Sequence, residues 1–207
     1  MGRISDRFNL EKQLVFYLSY HDNNINQYIH FMCIWPILLT ALIMFADVAV
    51  AGEGPTAPLG VDLGLPFQQY LVLNGSTIIT AVYMVWYVLL DPIAGSLGAS
   101  LVFGCFLIAN WVSQNAPLLY GVPGWKIGLP IHCVAWTLQF IGHGVFERRK
   151  PALLDSLDQA LITAPMFVLL EALFPLGYRQ ELYKKVEKQA KLNVKLFRAG
   201  ATAGKTL

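Results

Sequence analysis

The sequence predicts an all-α, polytopic membrane helix bundle, and three observations carry that expectation: composition, apolar run length and the placement of charge. Of 207 residues, 56% are hydrophobic and 14% charged, with a mean hydropathy of +0.51, which is more apolar and less charged than a soluble domain. The apolar runs approach the ~20 residues that a helix needs to cross the hydrocarbon core. Basic residues gather between runs and after the last one, the pattern of cytoplasmic segments. The expected architecture is about four spans plus a re-entrant or interfacial helical segment and a basic C-terminal surface helix. It forms a single integral membrane domain over 1–207: a cytoplasmic N-terminal segment 1–28, a membrane region 29–176 and a basic cytoplasmic tail 177–207.

The first run extends from about Ile29 to Val50 and is interrupted only by His30 and Asp47. Gly52 to Pro66 follows as a Gly- and Pro-rich loop with no Lys or Arg, hence non-cytoplasmic. A second span is expected from about Tyr70 to Leu90, ending at the Asp91-Pro92 turn signal. A third runs from about Ile93 to Val112, and its Gly95, Gly98 and Gly104 permit close helix contact. Ser113 to Trp125 reads as another non-cytoplasmic loop. A fourth span, about Ile127 to Phe146, returns to the basic cluster Arg148, Arg149 and Lys150. The segment from about Leu157 to Leu176 is broken by Asp158, Pro165, Glu171 and Pro175, so a re-entrant or interfacial pair is expected there, leaving both termini cytoplasmic.

A net charge of +2 argues against a nucleic-acid partner. Cys33, Cys105 and Cys133 sit singly in apolar stretches and read as small buried hydrophobes. The N-terminus has no apolar core with a cleavage site, so no cleaved signal peptide is expected. There is no dinucleotide fingerprint, phosphate-binding loop or nucleophile elbow.

Chemistry is therefore sought among the four histidines. A histidine near a helix end is more often a satisfied polar residue than a ligand. The expected topology, however, brings His21, His30 and His143 to one face of the membrane. On a continuous helix, nine residues would set His21 and His30 on opposite sides, but Asp22-Asn23-Asn24-Ile25-Asn26 is a cap-rich stretch that breaks the helix and lets both rings face one site. His132 shares a helix side with His143 but lies about 16 Å further along it, and it ranks last as a ligand. Glu147 shares the His143 face, and either it or Asp22 could complete a two-histidine, one-carboxylate metal site; its alternative is a salt bridge with Arg148 or Arg149. Asn26 and Gln139 are placed to fix imidazole tautomers. Imidazoles without thiolates suit iron, zinc or copper.

The run from Trp136 to Asp155, WTLQFIGHGVFERRKPALLD, resembles a known family, as do Phe16-Tyr17-Leu18-Ser19-Tyr20-His21 and the spacing of Asn26, His30 and Pro36. It is the 2-hydroxy fatty acid dioxygenase family of endoplasmic reticulum membrane proteins, and the resemblance spans Leu10 to Tyr178. It implies an Fe(2+)-dependent enzyme that uses O2 to shorten a long-chain 2-hydroxy fatty acid by one carbon, within phytosphingosine degradation. His21, His30 and His143 carry over as the motif histidines. The acidic head would sit beside Arg148, Arg149 or Lys150 with Tyr17 and Tyr20 nearby, and the acyl chain among the spans. A zinc-dependent lipid amidohydrolase and a non-catalytic scaffold are the competing readings.

Overall fold

A computed structural model describes residues 7–50, 64–149 and 159–203. Most of the expected Gly52 to Pro66 loop, together with Lys150, Asp155, Asp158 and Lys205, lies outside them. The described residues form helices and no strand. The chain divides into two compact units, residues 1–31 with 139–207 and residues 32–138. The helices are α1 (Leu10–Ser19), α2 (Asn24–Ala46), α3 (Gly75–Leu90), α4 (Pro92–Tyr120), α5 (Gly124–Ile141), α6 (Ala164–Leu173) and α7 (Gln180–Ala203). Wide π-helical turns follow α5 at Gly142–Glu147 and precede α6 at Gln159–Thr163.

Among the described residues, two helices are long and apolar enough to cross a membrane, α2 and α4; α3, at 16 residues, is shorter. The segments Ala160–Leu176 and Gln180–Gly200 meet at a bend of 118°, the geometry of a broken span or a re-entrant pair. Gly177, at φ +97°, makes that corner, in a left-handed conformation that glycine adopts without strain.

In the unit of residues 32–138, Asn74 opens α3 with a reciprocal capping box to Thr77. Asp91 closes α3 and caps α4, its carboxylate accepting from the Ile93 and Ala94 amides ahead of which Pro92 fits the first helical position. The α3–α4 corner is so tight that a Cβ on Gly95 would lie 2.0 Å from the Tyr87 carbonyl oxygen. Gly104, by contrast, faces open space and does not serve the close contact expected of it.

A set of polar side chains in this unit is buried. Asn74 donates to Asn110 at 2.7 Å, and both are buried with Thr80 and Asp91, while Ile78, Val82, Val85, Leu89, Leu97 and Leu101 are exposed. An apolar outer stripe around a polar seam suits lipid rather than water. The expected loop from Ser113 to Trp125 is a further correction, because α4 continues to Tyr120 and only Gly121–Pro123 breaks the helix. Asp47 explains the continuation: its carboxylate accepts from the Ser113 hydroxyl and from the Trp125 amide at 3.1 Å, tying α4 and the start of α5 to the end of α2.

In the unit of residues 1–31 and 139–207, α7 packs along α1. Val186, Ala190 and Val194, spaced four apart, are buried as one face of an amphipathic helix. Lys185–Glu11 at 2.8 Å and Asn193–Ser19 at 3.0 Å flank that seam. The exposed lysine of such a pair contributes little, so apolar packing dominates the contact. α6 is buried continuously from Ala164 to Leu170 and supplies the floor on which α1 rests.

Candidate metal centre

Three histidine rings meet inside the unit of residues 1–31 and 139–207. His21 lies in the turn after α1, His30 in the second turn of α2, and His143 within the π-helical turn that prolongs α5. Their ring centroids are 4.3 Å (His21–His30), 5.0 Å (His21–His143) and 4.9 Å (His30–His143) apart. One ring nitrogen from each lies within 4.8 Å of the others. All three are buried. The break between α1 and α2 lets His21 fold back toward His30, and the π-helical turn, a device often found at functional sites, rotates His143 toward them.

The hydrogen bonds fix how two of the rings are presented. His21 Nδ1 is 2.7 Å from the Tyr17 carbonyl and His30 Nδ1 is 3.0 Å from the Asn26 carbonyl. A carbonyl only accepts, so Nδ1 carries the proton in each ring and Nε2 keeps a lone pair. Backbone carbonyls thus set the tautomers, where the sequence suggested the Asn26 and Gln139 side chains. His21 Nε2 and His143 Nδ1 are buried without a hydrogen-bond partner among the described residues. Burial, and then the neighbouring His30 and His143, hold the His21 imidazole well below its ordinary value, so it is neutral at pH 7.

Lone pairs crowded in a dry interior are costly unless something accepts them. A divalent cation would, and protonated second nitrogens held by carbonyls are the usual support of histidine ligands. The residues present therefore fit a metal ion. No thiol or carboxylate belongs to the cluster among the described residues, and an all-imidazole donor set suits iron, zinc or copper.

Glu147, expected from the sequence as a ligand or a salt-bridge partner, is elsewhere engaged. Its carboxylate accepts from the Asp22 amide (3.2 Å to each oxygen), the Asn23 amide (3.0 Å) and the Asn26 side-chain amide (3.2 Å). These donors lie at the N-terminus of α2, where a negative charge is favoured. One side chain thereby joins the turn between His21 and His30 to the strand of chain carrying His143.

Gly142 makes the approach possible, because a Cβ there would lie 2.4 Å from Asn26 Oδ1. Asn26 is wholly buried and its amide is held by Glu147, so it cannot yield without breaking that bond. Gly142→Ala is expected to destabilise the protein by about 1–3 kcal/mol as an overpacked site, despite alanine's better helix propensity of about 1 kcal/mol. A lowered thermal midpoint against wild type, read by circular dichroism, checks this.

The Tyr17 ring stacks on His21 at 4.1 Å, and its hydroxyl donates to Glu171 at 2.9 Å. Burial, and then the Glu171 charge, push the Tyr17 hydroxyl well above its ordinary value, so it stays a donor. Glu171 reads in the sequence only as an interruption of an apolar run; nothing in its neighbours signals a partner 154 positions away.

Arg149 reaches the Ser19 carbonyl and lies between the Tyr20 ring at 3.7 Å and the Phe197 ring at 4.3 Å, while Arg148 is exposed, with φ 55°. With Arg198, which pairs with Asp22 at 2.8 Å, these arginines line a pocket of about 640 Å³ that reaches Asn23 and Glu147. A second cleft, of about 550 Å³, is walled by Leu18, Tyr28, Phe31, Phe174 and Tyr183. His132 is outside the ring cluster and in the other unit. Its Nδ1 is 2.9 Å from the Thr40 hydroxyl, and its Nε2 accepts from the Trp136 indole at 2.9 Å. Both its nitrogens are occupied, as in a structural histidine.

Residues 8–176 match a family model described as 2-hydroxy-palmitic acid dioxygenase Mpo1-like. The chain is similar to the 2-hydroxy-palmitic acid dioxygenase MPO1 of Saccharomyces cerevisiae. The two are 30% identical over 179 residues, which are 86% of this chain and 88% of the yeast protein. No solved structure matches the chain.

Proposed function

Because the chain belongs to the Mpo1-like family, we propose that it is an Fe(2+)-dependent dioxygenase that shortens long-chain 2-hydroxy fatty acids by one carbon. The observation that carries this reading is the buried cluster of His21, His30 and His143, with ring nitrogens left unpartnered. Iron held there would supply O2 activation beside the substrate's hydroxyl and carboxylate. The overall change balances without an external reductant: a 2-hydroxy acid and one O2 give the acid shorter by one carbon, CO2 and one water. The carbon–carbon bond to the carboxylate breaks, and O2 takes up the four electrons.

The chain's own residues do the remaining work. Tyr17 and Asn26 carbonyls hold the His21 and His30 rings with Nε2 presented as a lone pair. Glu147 fixes the turn between them. The pocket bearing Arg148, Arg149 and Arg198 attracts the acidic head, with Tyr20 holding Arg149 in place. The cleft walled by Tyr28, Phe31 and Phe174 offers the apolar contact an acyl chain needs, worth about 0.8 kcal/mol per buried CH2. On this reading the protein works in the endoplasmic reticulum membrane with cytoplasmic termini, in keeping with the basic residues of α7, and takes part in the degradation of phytosphingosine.

Metal analysis of the purified protein, joined to an assay with and without O2, tests this reading. One iron per chain and turnover that stops under argon are expected. Stoichiometric zinc with oxygen-independent amide hydrolysis would replace it with the hydrolase reading, and a metal-free, inert protein with the scaffold.

A further inference from the structure

Gln139 lies in the last turn of α5, four residues before His143. Its side chain is 3% exposed, and neither Nε2 nor Oε1 has a hydrogen-bond partner among the described residues. A buried amide with both ends unpaired is among the costliest things a helix can carry, and more so where lipid replaces water. If the position served packing alone, leucine or methionine would fill it without that cost. The amide is not spent on the nearest ring along the helix either, because His143 Nδ1 is itself unpartnered. Asn26, whose backbone carbonyl holds His30, has its side-chain nitrogen bonded to Glu147 and its oxygen close to Gly142. Among the described residues, Gln139 is the buried amide with neither its donor nor its acceptor partnered.

A carboxamide offers two N–H donors and one carbonyl acceptor on neighbouring atoms. A 2-hydroxy carboxylate is its complement: the hydroxyl O–H donates to Oε1, and a carboxylate oxygen accepts from Nε2. An unsubstituted fatty acid has only the acceptor, and would leave Oε1 buried and unpaired. We propose that Gln139 binds the substrate head and selects 2-hydroxy acids over unsubstituted ones. This rests on the dioxygenase reading for the substrate class and assigns a residue to its recognition. Sites that hydrogen-bond a substrate hydroxyl discriminate strongly against analogues lacking it. A single buried acceptor corresponds to roughly ten- to a hundred-fold.

The test is equilibrium binding by full-length protein in lipid nanodiscs under argon, where no turnover occurs. A pyrene-labelled fatty acid is displaced by 2-hydroxyhexadecanoate or by hexadecanoate. Wild type is expected to prefer the hydroxy acid by ten- to a hundred-fold. Gln139→Met, similar in size but without hydrogen bonds, should bring the ratio below about three-fold by weakening the hydroxy acid more than hexadecanoate, with metal content unchanged. Gln139→Glu keeps the acceptor but adds a charge, so it should weaken both acids while preserving the ratio. A Gln139→Met protein that retains metal and the wild-type ratio, or a Gln139→Glu protein that loses the ratio, overturns the assignment and leaves the dioxygenase reading intact. A wild-type protein that turns over 2-hydroxy acids yet binds both acids equally also overturns it. A wild-type protein that neither binds nor turns over these acids overturns both.

Discussion

Single replacement of His21, His30 or His143 by alanine is expected to remove the bound metal and abolish turnover, each variant falling to the same floor. The three rings are within 5.0 Å of one another by centroid and share one interior, so the loss of any one leaves a two-nitrogen site open to water. Losing a residue that merely supports a ligand lowers metal affinity 10–100-fold; losing a ligand is expected to exceed that. Stability should respond differently. The metal-free wild type already carries unpaired buried ring nitrogens, so a metal-free alanine variant should melt near it. Added iron should raise the wild-type midpoint and leave the variants unmoved, because a ligand stabilises only the state that binds it. Metal content by mass spectrometry and a melting series with and without Fe(2+) check both halves. Variants that keep stoichiometric metal would remove these rings from the centre.

The second large effect is expected at Glu147. Its removal as Glu147→Ala leaves the Asp22 and Asn23 amides and the Asn26 side chain without their acceptor, at about 2–4 kcal/mol, and deprives α2 of a charge at its N-terminus. The turn that aims His21 and His30 then loosens, and metal affinity should fall by about 10–100-fold. Glu147→Gln keeps one acceptor oxygen and should lie between the two proteins in both properties. A variant with lost stability but wild-type metal affinity would make Glu147 a fold residue only. Chemical denaturation and metal competition with a chelator separate these outcomes.

Much of the fold is written locally. Asp91-Pro92 pairs a capping carboxylate with a residue suited to a helix start, and the helix breaks there. Asp22 to Asn26 is rich in residues whose short side chains compete for backbone amides, and the chain turns between α1 and α2. From that turn the sequence already points to His21 and His30 sharing one interior. What is not written locally depends on distant partners. Ser113 to Tyr120 looks like a loop until Asp47, 66 residues earlier, accepts its hydroxyl. Glu147 looks like a metal ligand or one half of an ion pair until it meets amides more than 120 positions away. The π-helical turn at Gly142–Glu147 has no periodicity signature over so few residues, although it decides where His143 points. Helix spacing already sets His132 apart from His143, and the Thr40 and Trp136 bonds that occupy both its nitrogens are what the sequence does not show.

The most direct measurement is the mass of the product. Purified protein loaded with Fe(2+) is supplied with 2-hydroxyhexadecanoate in air, and the fatty acids are analysed by mass spectrometry while O2 uptake is recorded. Pentadecanoate appearing in step with one O2 per turnover, and absent when the metal is chelated, is the expected result. An iron-loaded protein that yields no odd-chain acid, or that yields it equally without O2, would contradict a dioxygenase built on these three histidines.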